Sequence, residues 1–181
     1  MEPPIPTSSK FLSLVLRHQP QLIGLSLDEQ GWAKVDELLH CIQQSGRELQ
    51  PDQLQALVAN CPKQRFRFSE DGLRIRANQG HSVPIELGLS PQVPPQRLYH
   101  GTAEATLGSI RQQGLLRQSR HHVHLSSDPI IARTVGMRHG KPRVLGIQAQ
   151  QMHQDGHTFY QSDNWVWLTE TVPVGYIEWA I

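Results

Sequence analysis

The sequence lacks several features that would assign it quickly to a class of protein. Its 181 residues include only two cysteines, Cys41 and Cys61, and these do not form a CxxC pair. We therefore predict two reduced thiols rather than a disulfide framework. No apolar run approaches the length of a membrane span, and no basic-then-apolar segment opens the chain. These absences predict a soluble, cytoplasmic protein that does not engage membranes. The near-neutral net charge and the size of the chain predict a monomer.

Three common catalytic motifs are also missing from the chain. There is no GxSxG nucleophile elbow, no GxGxxG dinucleotide fingerprint and no Walker phosphate loop. A bound nucleotide would therefore not be held by a Rossmann or P-loop unit. Charge of one sign is not in excess either, because 17 Lys and Arg against 16 Asp and Glu leave a net charge of +1. Any affinity for nucleic acid must come from local basic patches.

The sequence instead concentrates Arg and His in a few short segments in which Asp and Glu are scarce. Arg presents a planar fork of donors that matches phosphate oxygens, and His exchanges a proton near neutral pH. This combination indicates a protein that handles an anion. The segments are Leu16-Arg17-His18, Lys63-Gln64-Arg65-Phe66, 74–82, Tyr99-His100-Gly101-Thr102 and 119–126.

The first half of the chain predicts three helices followed by a β-hairpin. Helices are expected over 10–18, capped by Ser8 or Ser9, over 35–45, and from Pro51 onward. A short strand is expected over 25–28. The hairpin pairs 66–69 with 73–77 and puts three arginines on one face, an arrangement that suits either a nucleic-acid backbone or a solvated surface. Those arginines are Arg67, Arg74 and Arg76. Three helices and a hairpin indicate a winged helix.

The second half predicts a mainly β unit with short helices, so the fold class is α+β. We expect a nucleic-acid-binding lobe over 1–90, a Pro-rich linker over 91–96 and a second lobe over 97–181. Trp165-Val166-Trp167 is expected in a strand of the core.

Three polar segments are candidates for ligand contact. His100-Gly101-Thr102 follows a strand, where Gly lets a ligand approach the backbone, and His124 and Ser126 share one face of another strand. Gln79-Gly80-His81-Ser82 is either a plain loop or a nest of amides for an anion. Three neighbouring histidines, His121, His122 and His124, cannot all face one ion from a strand, so we predict no metal site.

These segments, in this order, resemble one family, the NAD-dependent RNA 2′-phosphotransferases, over nearly the whole chain. The resemblance rests on 13–18, 63–66, 75–82, 99–102 and 119–126. It implies a winged-helix RNA lobe joined to an ADP-ribosyltransferase-like lobe, with RNA and NAD meeting in the cleft between them. It implies the catalytic tetrad Arg17, His18, Arg65 and Arg120. The implied NAD-binding residues are His100, Gly101, Thr102, His124, Ser126 and Arg138, and the implied RNA-binding residues are Arg67, Arg74, Arg76, Gln79 and His81.

The resemblance further implies a two-step reaction that removes an internal 2′-phosphate, as on spliced tRNA, and consumes NAD without a metal. The RNA 2′-phosphate first displaces nicotinamide, giving a 2′-phospho-ADP-ribosylated RNA. The ribose 2″-hydroxyl then attacks the phosphate, releasing 2′-hydroxyl RNA and ADP-ribose 1″,2″-cyclic phosphate. Two alternatives stay open. One is a winged-helix nucleic-acid binder without chemistry. The other is an ADP-ribosyltransferase, acting on nucleic-acid phosphate or protein, that stops after the first step; Glu170 is a weak candidate for its acceptor-activating acid.

Overall fold

The structure is a computed structural model that describes residues 5–179. It is α+β, with short helices and small, mostly antiparallel sheets. Its contacts divide the chain into two compact units, with the boundary between Gly88 and Leu89. Each unit has its own hydrophobic core. No helix in the described part of the chain is both long and apolar enough to cross a membrane.

The first unit contains three helices and five short strands. The helices are α1 (Ser9–Arg17), α2 (Val35–Gln44) and α3 (Pro51–Ala59). The strands are β1 (Ile5–Pro6), β2 (Ala33–Lys34), β3 (Arg47–Glu48), β4 (Phe66–Phe68) and β5 (Arg74–Ala77). An antiparallel sheet has the order β2-β5-β4, and β1 pairs in parallel with β3.

The predicted helices of the first unit are confirmed, and their ends have local causes. The Ser8 hydroxyl accepts from the Phe11 amide at 3.2 Å, which satisfies one free donor of the first turn of α1. Leu12, Val15 and Leu16 on that helix are buried, as their spacing predicts. Pro51 is the first residue of α3, where its missing N–H costs nothing.

The hairpin is confirmed, and the strand expected over 25–28 is wrong. Strands β4 and β5 pair in antiparallel fashion, with Arg67 opposite Arg76. Residues 25–28 have no regular structure, and a turn follows them in which the Asp28 carboxylate accepts from the amides of Gln30 and Trp32, each at 2.9 Å. An acidic side chain that binds its own downstream backbone favours a turn over a ladder.

The described part of the second unit contains three α-helices and eight strands. The helices are α4 (Leu107–Gln113), α5 (Pro129–Gly136) and α6 (Ala149–Gln154). The strands are β6 (Leu98–Ala103), β7 (Leu115–Leu116), β8 (Val123–Leu125), β9 (Pro142–Ile147), β10 (Phe159–Gln161), β11 (Trp167–Thr169), β12 (Thr171–Val172) and β13 (Ile177–Glu178). They form three antiparallel sheets with the orders β13-β9-β6, β10-β11-β8 and β12-β7.

A single bridge joins the β6 strand to the end of β8. Tyr99 and Ser126 exchange two backbone hydrogen bonds of 2.8 and 2.9 Å. This bridge sets His100, the next residue of β6, beside His124, the middle residue of β8. The two predicted motifs of the second half are therefore neighbours in the structure.

Two segments of the second unit differ from their expected form. Residues 91–96, predicted as a linker, lie in this unit, where the Gln92 amide donates to the Phe159 carbonyl at 2.8 Å. Trp167 is 8% exposed, as expected for the core, but Trp165 is 73% exposed with a φ of +65°. The core assignment of Trp165 is wrong, because a turn closed by the Trp165 amide on the Ser162 carbonyl precedes β11.

Candidate functional site

Arg17 and His18 lie where α1 ends and where the loop after β5 meets it. The amide of Ser82 donates to the Arg17 carbonyl at 2.9 Å, and the Val83 amide approaches the same oxygen at 3.3 Å. These bonds satisfy a carbonyl that the helix itself leaves free. They also bring the Ser82 hydroxyl to 2.9 Å from His18 Nδ1. In the predicted amide nest at 79–82, the Ser82 amide is therefore bonded to the end of α1.

Arg65 joins this group from the start of the hairpin. Arg17 Nη2 donates to the Arg65 carbonyl at 3.5 Å, across 48 positions of sequence. Arg65 Nη1 lies 3.4 Å from the Cys61 sulfur. We call Arg17, His18, Arg65 and Ser82 the Arg–His cluster. Three of the four predicted catalytic residues thus come together within the first unit.

The arginines of the hairpin surround Trp32 rather than lying on an open face. Their guanidinium carbons lie 5.2, 5.4 and 4.6 Å from the ring centroid of Trp32 for Arg67, Arg74 and Arg76. Arg76 is only 4% exposed, and its Nη1 lies 3.4 Å from the carbonyls of Gln30 and Leu87. Arg76 therefore serves the fold of this unit, and RNA contact by Arg67 and Arg74 stays a prediction.

The two other predicted RNA contacts in this unit are not equally accessible. His81 is 2% exposed, and a Cβ on Gly31 would lie 3.4 Å from its Nε2. His81 is thus packed against the turn before β2, and a direct contact with RNA would require that packing to open. Gln79 is half-buried, so its predicted role is compatible with the structure.

In the second unit, His100 is held in one tautomer. Its Nδ1 lies 3.1 Å from the backbone oxygen of His124. A carbonyl only accepts, so Nδ1 carries the hydrogen and Nε2 is left as an acceptor in the neutral ring. Burial lowers the pKa of His100 below its usual value, and the positive charge of Arg120 lowers it further, against the opposing effect of the bond to His124. His100 therefore presents a neutral acceptor.

We expect a titration of the histidine rings by NMR to find His100 neutral and Nδ1-protonated at pH 6.5, its usual pKa. Because the folded pKa is depressed, the unfolded chain binds a proton that the folded chain does not as the pH falls below about 6.5. His100 thus contributes a loss of stability on acidification. His100→Asn, which keeps a donor for the His124 carbonyl, should flatten that dependence. A ring that titrates above 6.5 would contradict the assignment.

Gly101 of β6 packs closely against α5. A Cβ built on Gly101 would overlap the backbone carbonyl of Ala132, and one built on Gly136 would lie 2.6 Å from the Thr102 oxygen. The predicted contact of Gly101 with NAD stays a prediction. The glycine is needed because the helix backbone packs directly on the strand backbone.

The remaining predicted NAD contacts are mostly engaged in local structure. The Thr102 hydroxyl lies 2.6 Å from that of Thr106, and Thr102 is 9% exposed. The Ser126 hydroxyl accepts from the Asp128 amide at 3.0 Å, where Asp128 caps α5. Arg120 and Arg138 are exposed, in the turn before β8 and in the turn after α5. The predicted NAD contacts and the catalytic role of Arg120 stay predictions.

Comparison with known proteins tests the resemblance directly. The family model described as RNA 2′-phosphotransferase, Tpt1/KptA family, matches residues 5–171. This chain belongs to that family. A protein of Rhodopirellula baltica named "Probable RNA 2′-phosphotransferase" is 54% identical over 172 residues, covering 94% of each chain. One of the same name from Escherichia coli is 49% identical over 173 residues, covering 95% of this chain and 94% of its own.

The family match covers both units and every predicted site residue. Asn78, which bonds to the backbone beside Arg65, was not among the predicted site residues, and Ser82 was included only as part of the candidate nest at 79–82. No periodic pattern in the sequence singles out these two residues, because the partners that they bind lie far from them in the sequence. Within residues 5–179, no three His, Cys, Asp or Glu side chains are grouped as a metal site requires. The expectation of metal independence is a matter for experiment.

Proposed function

We propose that this protein removes an internal 2′-phosphate from RNA by transferring it to NAD, which is consumed. The observation that supports this most strongly is the Arg–His cluster, in which the Arg17 guanidinium bonds to the backbone of Arg65 and the His18 ring contacts Ser82, so that two arginines and a histidine are grouped within one unit. Arg residues hold phosphate through charge-assisted, often bidentate hydrogen bonds. A histidine beside them can move a proton at a phosphate oxygen. The family membership supplies the substrate class.

The second unit is compatible with NAD at its predicted motifs. His100 holds Nε2 as an acceptor, and the hydroxyl groups of a ribose are donors that suit it. A neutral ring also avoids placing another cation beside the positively charged nicotinamide. NAD would supply an anomeric carbon whose leaving group is neutral nicotinamide. We infer that His100 and His124 orient the sugar, and that Arg138 contacts a phosphate.

In the first step, a 2′-phosphate oxygen forms a bond to the anomeric carbon while the bond to nicotinamide breaks and its electron pair leaves with the ring nitrogen. Arg17 and Arg65 act here by holding the nucleophile in line, so positioning dominates. In the second step, the ribose 2″-hydroxyl bonds to phosphorus and the RNA 2′-oxygen leaves. The two arginines then stabilise the charge that spreads over the phosphoryl oxygens. His18 moves the proton from the attacking hydroxyl to the departing 2′-oxygen.

The test uses an RNA oligonucleotide with one internal 2′-phosphate, incubated with the protein with and without NAD, in EDTA. We expect NAD-dependent conversion to 2′-hydroxyl RNA, with ADP-ribose cyclic phosphate released. The chelator makes the same assay a test of metal independence.

Two other outcomes would overturn the proposal in different ways. A stable ADP-ribosylated RNA as the end product would identify a transferase that stops after the first step. RNA binding with no conversion would leave a nucleic-acid-binding protein without this chemistry.

A further inference from the structure

The residue before Arg65 adopts an unfavourable backbone conformation. Gln64 has a φ of +41°, in the left-handed region that favours glycine, whereas the other loop residues around it do not. A non-glycine residue is disfavoured there because its Cβ crowds the carbonyl oxygen. Such a conformation persists only where neighbouring groups hold it. Because Gln64 directly precedes Arg65, its backbone sets the direction in which the arginine leaves the chain.

Asn78 bonds to this backbone from across the hairpin, while the Gln64 amide donates to the Cys61 carbonyl at 2.8 Å. Asn78 Nδ2 donates to the Gln64 carbonyl at 2.6 Å, and the backbone amide of Asn78 donates to the Arg65 carbonyl at 2.9 Å. The two bonds fix the carbonyls on both sides of Arg65. Only the bond to the Gln64 carbonyl uses the Asn78 side chain. Since a carbonyl can only accept, Nδ2 and not Oδ1 faces Gln64, which determines the orientation of the side-chain amide.

The burial of Asn78 indicates that its donor has a specific purpose. The residue is 4% exposed, and among residues 5–179 its Oδ1 has no hydrogen-bond partner. An unsatisfied buried acceptor destabilises the fold. An apolar side chain would avoid that penalty, so the amide is useful here through Nδ2 and its bond to Gln64.

We propose that Asn78 is a positioning residue for Arg65: it holds the Gln64 peptide in the left-handed conformation and thereby aims the Arg65 guanidinium at the phosphate. This deepens the proposed function and rests on it. Asn78 does not touch the substrate. Its effect reaches the reaction only through the backbone at 64–65, which lies in the same unit as Arg17 and His18.

The proposal predicts a defect in kcat that a second substitution repairs. Asn78→Asp keeps the size of the side chain but replaces the donor with an acceptor that faces the Gln64 carbonyl. Losing a buried hydrogen bond of about 1–3 kcal/mol corresponds to a loss of about 5- to 140-fold in kcat, at tenfold per 1.4 kcal/mol. Gln64→Gly removes the steric cost of φ +41°. The double variant should therefore regain most of the lost kcat.

The experiment measures kcat and KM on the 2′-phosphorylated oligonucleotide for wild type, Asn78→Asp, Asn78→Ala, Gln64→Gly and the double variants. Asn60→Ala, at the exposed C-terminal end of α3, is the matched control and should behave as wild type. In an Arg65→Ala background, Asn78→Ala should lower kcat by less than a further twofold, because the two residues act through one guanidinium. Melting curves separate a loss of fold from a loss of activity.

The outcomes distinguish this inference from the proposed function. If wild type does not convert the RNA with NAD, the proposed function fails first. If wild type converts it and the Asn78 variants keep wild-type kcat, only the positioning role fails. It also fails if Gln64→Gly restores the melting temperature of the Asn78 variants without restoring kcat, since the role would then be structural alone. If Asn78→Asp does not fold, Asn78→Ala with Gln64→Gly carries the test.

Discussion

His18→Ala is expected to convert 2′-phosphorylated RNA to an ADP-ribosylated intermediate that accumulates instead of turning over. The reason lies in the unequal proton demands of the two proposed steps. The first needs no proton, because an anion attacks and neutral nicotinamide leaves. The second must take a proton from one hydroxyl and give one to another. Loss of a general acid–base residue costs on the order of 10²–10⁴ in rate, so the second step should slow selectively.

Arg65→Ala is the informative comparison for His18→Ala. Its guanidinium would hold the phosphate in both steps, so both should slow and little intermediate should collect. Single-turnover reactions with radiolabelled RNA, quenched over time, resolve substrate, intermediate and product. Equal loss of both steps in the two variants would contradict the role given to His18.

Ser82→Ala tests the same role of His18 with a smaller expected effect. Its hydroxyl lies 2.9 Å from His18 Nδ1, and a hydrogen bond of this kind contributes about 1 kcal/mol. We expect Ser82→Ala to slow the second step about fivefold and to leave the first unchanged. A Ser82→Ala variant that slows only the first step would show that this contact does not serve proton transfer.

Elements with local causes could be predicted from the sequence. Ser8 caps α1 through the amide of Phe11, three residues away, and Pro51 begins α3 because its fixed φ suits a first turn. The hairpin follows from two alternating segments around Glu70-Asp71-Gly72. In each case the deciding contact lies within a few positions, so a short window of sequence contains the cause.

Features that depend on distant packing could not be predicted in the same way. The alternation of the hairpin correctly places three arginines together. It does not reveal that Trp32, just before β2, lies against them, or that Arg76 is buried. Likewise, the motif 75–82 contains Asn78, but its bond to Gln64 spans 14 positions. The sequence identified which segments matter, whereas the role of each side chain depended on its partners.

Gly101 illustrates the same limit and leads to a prediction about stability. As a residue in a polar motif after a strand, it suggested close approach of a ligand. In the structure, a Cβ on Gly101 would overlap the Ala132 carbonyl of α5. Gly101→Ala should therefore force the helix away from β6. Overpacking costs about 1–3 kcal/mol and more where backbone atoms cannot move, so we expect a loss of about 3 kcal/mol. At about 2–4 °C per kcal/mol, the melting temperature should fall by about 6–12 °C.

Two glycines in helices are the comparisons for Gly101→Ala, because helix propensity alone predicts that replacing either of them with Ala stabilises the protein. Gly108→Ala, in α4, meets nothing within 4 Å and should stabilise the protein by about 0.5–1 kcal/mol. Gly136→Ala, in α5, should destabilise it despite the same gain in propensity, because its Cβ would lie 2.6 Å from the Thr102 oxygen. Thermal melts with and without NAD compare all three variants. If Gly101→Ala melts like wild type but binds NAD more weakly, the glycine serves the ligand and not the contact between helix and strand.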